Sequence, residues 1–173
     1  YLITQKEAAK KFVGKPYDNK NSQTAILTKP WFDMEFSYEF QRSDFFPKPN
    51  VDTVLLRIEK KSDQLIDRDN KRQYEDFVSY TFNQFKPNIG ESLSEIFGKQ
   101  KINNLAQKLN IRATSKPSEL DFRDWLSLFK VFRDEVNYNH QRIVNDSYSK
   151  LVEQQSHLQK IHRTRTDRRW RNK

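Results

Sequence analysis

The chain has 173 residues, with 32 Lys plus Arg against 23 Asp plus Glu, a net charge of +9 and no cysteine. That length holds one ordinary domain or part of a two-domain protein, and the lack of thiols excludes a disulfide framework and cysteine-based metal or nucleophile chemistry. No apolar run approaches the roughly 20 residues that a bilayer span needs, and the opening YLITQKEAAKK lacks the basic-then-apolar order of a signal peptide, so a soluble, cytoplasmic chain without membrane contact is expected.

Tyr1–Thr4 has the apolar, β-branched character of a strand end, and QKEAAKKFVG that of a helix with Ala8, Ala9 and Phe12 on one face, stopped by Gly14 and Pro16. A chain that opens inside a strand, and whose only methionine is Met34, is expected to be the C-terminal portion of a longer protein. SQTAILTKPWF predicts a second helix ending just before Pro30. MEFSYEF alternates, with Met34, Phe36, Tyr38 and Phe40 on one side and Glu35, Ser37 and Glu39 on the other, the period of a strand. After DFFPKPN, the run VDTVLLRIEKK predicts an antiparallel partner for it. Three strands and two helices leave a sheet edge without a partner.

From about Ser62 the period changes from 2 to 3.6. Phe77, Val78, Thr81, Phe82 and Phe85 form one helical stripe; Ile102, Leu105, Ala106 and Leu109 a second; Trp125, Phe129 and Phe132 a third. Asp121 and Asp124 head the last as an N-cap and an acidic first turn, while Pro87, Gly90 and Pro117 fall between stripes as breakers. The fold expected is therefore α/β plus all-α, divided into residues 1–61, a helical unit over 62–140, and a polar tail over 141–173.

That tail concentrates the charge. Residues 159–173, QKIHRTRTDRRWRNK, hold seven Lys/Arg and one Asp, +6 of the total +9. Arg163, Arg165, Arg168, Arg169 and Arg171 neutralise phosphates, and Trp170 among them offers a base a stacking face, which makes nucleic acid the leading partner; a solvated basic tail is the plainer alternative. His140, His157 and His162 lack metal-ligand spacing, so no metal is expected.

YLITQKEAAKKF, ILTKPWF and EFQRSDFFPKPNVDTVLLRI together resemble the Erm family of 23S ribosomal RNA adenine N-6 methyltransferases, which confer macrolide-lincosamide-streptogramin B resistance. YEDFVSYTFNQFKP, IFGKQ and LDFRDWLSLF are similar to that family's C-terminal helical domain. The likeness runs over about residues 1–133, and its F-x-P-x-P-x-V element is shared with the housekeeping small-subunit dimethyltransferases. It implies the C-terminal part of an S-adenosylmethionine-dependent, Rossmann-like methyltransferase sheet followed by a small helical domain and a basic tail. It further implies a monomer acting on 23S rRNA domain V.

By the same resemblance Phe45 is the residue that stacks on the target adenine. Such an enzyme draws the base out of its stack and holds it flat, which an aromatic ring does well. Pro47 and Pro49 fix φ on both sides of Lys48, stiffening the loop before the base arrives, and Lys48 reaches toward a phosphate. Phe46 is expected to be ordinary packing. Lys10 and Lys11, matched to basic residues at the start of the family's helix, contact RNA backbone or form a solvated face. The glycine-rich cofactor turn and the Asn-(Ile/Leu)-Pro-(Tyr/Phe) motif have no counterpart here, so S-adenosylmethionine is expected to be held by residues upstream of Tyr1. No residue of this stretch is expected to be catalytic or cofactor-binding, and taken alone it is expected to be inactive. A non-catalytic RNA-binding module and a housekeeping small-subunit rRNA dimethyltransferase remain open.

Overall fold

The computed structural model describes residues 1–158. Three strands, β1 (Leu2–Gln5), β2 (Phe32–Phe40) and β3 (Thr53–Lys60), form one antiparallel sheet in the order β1-β3-β2. The last strand in sequence lies in the middle, with Ile3 opposite Leu55 on one side and Phe40 opposite Thr53 on the other. β1 has no second neighbour among the described residues, the unpartnered edge expected from the element count.

Helix α1 (Lys6–Val13) follows β1 directly and covers one face of the sheet. Ala9 and Val13, four residues apart, pack on Val54 and Leu56, with Met34 and Phe36 completing the cluster. Phe12, placed on this face by sequence, is instead exposed: with Ala9 against the sheet, the helical period carries Val13 inward and turns Phe12 aside. α2 (Gln23–Thr28) begins at Ser22, whose hydroxyl accepts from the Ala25 N–H at 3.0 Å, and ends short of Pro30.

The strand β2 departs from its alternating pattern. A bulge at Ser37 leaves Phe36 opposite Leu56 but sets Tyr38 opposite Leu55, so the extra residue reverses the faces beyond it. Met34 and Phe36 point to α1; Tyr38 and Phe40 share the opposite face with Leu55 and Thr53, and Tyr38 is exposed.

The remaining helices are α3 (Lys71–Asn83), α4 (Ile89–Phe97), α5 (Lys99–Lys108), α6 (Phe122–Glu135), α7 (Tyr138–Gln141) and α8 (Ser147–Ser156). They enclose an aromatic core in which Phe77 meets Phe132 at 4.7 Å and Trp125 at 6.2 Å between ring centroids. The Trp125, Phe129 and Phe132 stripe is fully inside, and the Asp124 carboxylate accepts from the Asp121 N–H at 2.8 Å, as the sequence pattern implies. Phe85 leaves its stripe: α3 stops at Asn83, and Phe85 takes a left-handed backbone (φ 52°) that turns its ring to solvent ahead of Pro87.

Gly90 is no breaker. It sits in the first turn of α4, donating its N–H to the Ala113 carbonyl at 2.9 Å, and a Cβ there would meet that oxygen at 3.1 Å. Close approach, not a turn, explains the residue.

The two portions interlock. Ile26 of α2 and Trp31 belong to the helical core, and the buried Tyr74 hydroxyl donates to the Ile26 carbonyl at 2.8 Å. Asn21, fully buried, donates Nδ2–H to the Leu120 carbonyl (2.9 Å) and accepts at Oδ1 from the Lys15 N–H (3.2 Å) and Lys29 Nζ (3.0 Å). Val144, within the stretch read as tail, is also fully buried in this core. Asp76, also buried, ties α8 down by accepting from the Asp146 and Tyr148 N–H groups at 3.2 and 2.9 Å.

Candidate functional site

The loop from residue 41 to 52 leaves β2 and enters β3, and several independent ties fix its ends. A single 3₁₀ turn, Arg42–Asp44, opens it; the Asp44 N–H donates to the Gln41 carbonyl at 3.0 Å, and the Asp44 carboxylate accepts from the Gln41 N–H at 2.9 Å. Arg42 and Asp52 pair across its mouth at 2.9 Å. Both side chains are exposed, so this pair sets geometry more than stability. The Lys6 N–H donates to the Asp52 carbonyl at 2.8 Å, joining the first residue of α1 to the loop's exit, and Lys6 Nζ meets Glu39 at 2.8 Å.

Phe45 stands at the end of an aromatic row. Its ring packs edge-on against Phe40 at 5.2 Å and 60°, and Phe40 packs the same way on Tyr38 at 5.0 Å and 82°. The row exists because the Ser37 bulge turns Tyr38 and Phe40 to the face that α1 does not cover. Phe45 is half-buried there, whereas its neighbour Phe46 is fully exposed and packs on nothing described. The expectation that Phe46 fills the strand entrance is corrected: the row ends at Phe45, and the following ring turns to water.

Lys48 is exposed, with no carboxylate within 4 Å among the described residues. Lys10 and Lys11 occupy the last turn of α1, not its start, because the helix spans only eight residues and the preceding Gln-Lys-Glu straddles its boundary. A cation there also complements the helix dipole. Lys10 is held by Glu7 at 2.7 Å, and that bond raises the ammonium's pKa; Lys11 projects outward. Lys6, not singled out from sequence, lies nearer to the loop than either. Arg163, Arg165, Arg168, Arg169, Trp170 and Arg171 lie outside the described residues.

The three glycines stand elsewhere than in a strand-to-helix turn. Gly14 ends α1, and the space where its Cβ would stand is filled by Asn21 Oδ1 at 2.3 Å; Gly90 is inside α4, and Gly98 joins α4 to α5. None of them links a strand to a helix N-terminus, the place where such a loop holds an adenosine cofactor. Among the described residues no three His, Asp or Glu side chains gather as a metal site, and no helix is long and apolar enough to cross a membrane.

A central strand paired antiparallel on both sides, a helix on one face and a helical unit attached make up a methyltransferase-like fold. The chain belongs to the ribosomal RNA adenine dimethylase family, whose profile matches residues 1–134. It is 24% identical over 136 residues to the ribosomal RNA small subunit methyltransferase A of Mycoplasma mobile, covering 79% of this chain and 51% of that protein. With its counterpart from Malacoplasma penetrans the identity is 29% over 133 residues, covering 77% and 48%. The crystal structure of the 23S rRNA methyltransferase ErmE superposes with a TM-score of 0.67 at 24% identity, covering 76% of this chain and 53% of that one, a likeness of fold. The chain spans about half the length of the curated relatives it matches.

Proposed function

We propose that this chain is part of an S-adenosylmethionine-dependent enzyme that methylates the N-6 amino group of an adenine in domain V of 23S ribosomal RNA, giving macrolide-lincosamide-streptogramin B resistance. The observation that carries the reading is Phe45, half-buried on Phe40 within the F-x-P-x-P loop. The ring backs the extruded adenine, Pro47 and Pro49 hold the loop in place, and Lys48 engages a neighbouring phosphate. Lys10, Lys11 and the arginine-rich residues 163–171 add backbone contacts, with Trp170 as a second stacking face. Catalysis at this site rests on positioning the adenine nitrogen, not on a titrating side chain. The cofactor falls to residues other than these.

Support for the 23S branch is the joint presence of QKEAAKKF, DFFPKPNVDTVLLRI and the tryptophan helix LDFRDWLSLF. The names of the sequence relatives favour a second reading, dimethylation of small-subunit rRNA. Methyl transfer from labelled S-adenosylmethionine to purified 23S and 16S rRNA, with the full-length protein, separates them. Label in one 23S adenine is the expected result; label only in 16S rRNA replaces the branch, and RNA binding without label would sink the enzymatic reading.

A further inference from the structure

A second candidate site lies at the opposite end of the sheet from Phe45. β2 runs from Phe32 to Phe40, eight steps or about 26 Å at strand rise, and Phe32 is paired there with Lys60, the last residue of β3. Behind that pair opens a pocket of about 450 Å³ between the sheet's end, α2, α3 and the start of α8. Its charges are Lys60, Arg68 and Lys71 against one carboxylate, Glu75, which Lys71 meets at 3.7 Å. Among the described residues neither Lys60 nor Arg68 has a carboxylate within 4 Å. Its apolar wall is Leu27 and Phe32, the latter 38% exposed, with Lys71 Nζ 5.4 Å from the centroid of the Trp31 ring behind them.

Three cations, two of them without a carboxylate partner among the described residues, around an apolar, partly aromatic wall suit a ligand that is anionic on one side and flat on the other. That is a nucleotide in a strand, its phosphates on the cations and its base on the wall. A small acid would leave the wall idle, and an apolar ligand would bury Lys60 and Arg68 without compensation.

We propose that this pocket takes an unpaired nucleotide and the adjoining phosphates of the same RNA whose target adenine meets Phe45. The proposal rests on the RNA-modifying reading above. The spacing makes it specific: RNA held at both places must extend about 26 Å from the target base, close to eight steps of duplex at roughly 3.4 Å each. A short hairpin that fills only the Phe45 loop would leave the pocket empty.

The test is the salt dependence of RNA binding by the full-length protein carrying Lys60→Gln, Arg68→Gln and Lys71→Gln together. Long rRNA fragments and a minimal hairpin bearing the target are compared. For long RNA the slope of log K against log salt should shrink by about 2 to 3, while for the minimal hairpin it should not change. The charge-conserving set Lys60→Arg, Arg68→Lys and Lys71→Arg should restore the long-RNA slope, which loss of Lys71's packing on Trp31 alone could not explain. An unchanged slope in a folded triple variant overturns the proposal and leaves the methylation reading standing. Failure of the unaltered protein to bind rRNA overturns both. Saturable binding of AMP in the pocket that long RNA does not displace assigns it to a free nucleotide and overturns the strand assignment.

Discussion

Replacing Phe45 and Phe46 separately sets two adjacent phenylalanines against each other. Phe45 touches Phe40 edge-on at 5.2 Å, a pair that contributes about 0.5–1.5 kcal/mol to the fold. Phe46 is fully exposed, so truncating it removes no packing. If Phe45 stacks on the target adenine, Phe45→Ala forfeits a further 1–3 kcal/mol or so of base–aromatic contact. Realised in the transition state, that is about 5- to 150-fold in kcat/KM. Phe45→Tyr keeps the ring and should fall by less than about threefold. Phe46→Ala should stay near the parent, because no neighbour holds that ring in a defined pose over a base. The assay is single-turnover methyl transfer to a target RNA by the full-length protein, with thermal unfolding to separate the lost Phe40 contact from lost base positioning. Alanine at 45 as active as tyrosine at 45 would refute the stacking role, and a large loss at 46 with none at 45 would move the platform by one residue.

Three further outcomes follow from the geometry. Asn21→Ala strips acceptors from Lys29 and the Lys15 N–H and a donor from the Leu120 carbonyl; burial already pulls the Lys29 ammonium below its ordinary pKa, with Asp121 opposing, so a loss of about 3 kcal/mol is expected. It would be read as a melting temperature lower by roughly 6–12 °C, and a shift under about 2 °C would show that the latch carries little. Gly14→Ala forces an L side chain to φ +63° and its Cβ to within 2.3 Å of Asn21 Oδ1, so a loss of at least about 3 kcal/mol is expected in denaturant unfolding. Burial, reinforced by the Glu95 carboxylate 3.1 Å away, pushes the Tyr80 phenol up to about 12; the unfolded phenol ionises near 10, so its contribution is complete below pH 10 and is lost as pH rises toward 12 and beyond. Tyr80→Phe should flatten that alkaline decline, and an identical pH–stability curve for both proteins would refute the assignment.

What was legible in the sequence is what local chemistry decides. The stop before Pro30, the Asp121–Asp124 pair and the Trp125, Phe129 and Phe132 stripe depend on neighbours within about one turn, and all stand in the structure. Gly90 read as a breaker because its reason, the Ala113 carbonyl, lies 23 positions away. Asn21 gave no signal: its partners Leu120 and Ser118 are about a hundred residues distant, and an asparagine in the polar run DNKNSQ looks like loop. The basic pocket is equally non-local, gathering cations from the end of β3 and the approach to α3 around apolar side chains of α2 and β2.

The Ser37 bulge links these failures to function. Read as an uninterrupted strand, MEFSYEF sends Met34, Phe36, Tyr38 and Phe40 to a single face, and all four would compete for the space under α1. That space already holds Ala9, Val13, Val54 and Leu56, and it closes with Met34 and Phe36 alone. One unpaired residue divides the set: two side chains complete the core, and two are released to the other face, where Phe40 meets Phe45. The position of the bulge is set by pairing with β3, a strand that begins 13 residues after β2 ends, so no window along β2 reveals it. The same residue that makes the strand's pattern misleading therefore gives the loop that carries Phe45 its footing.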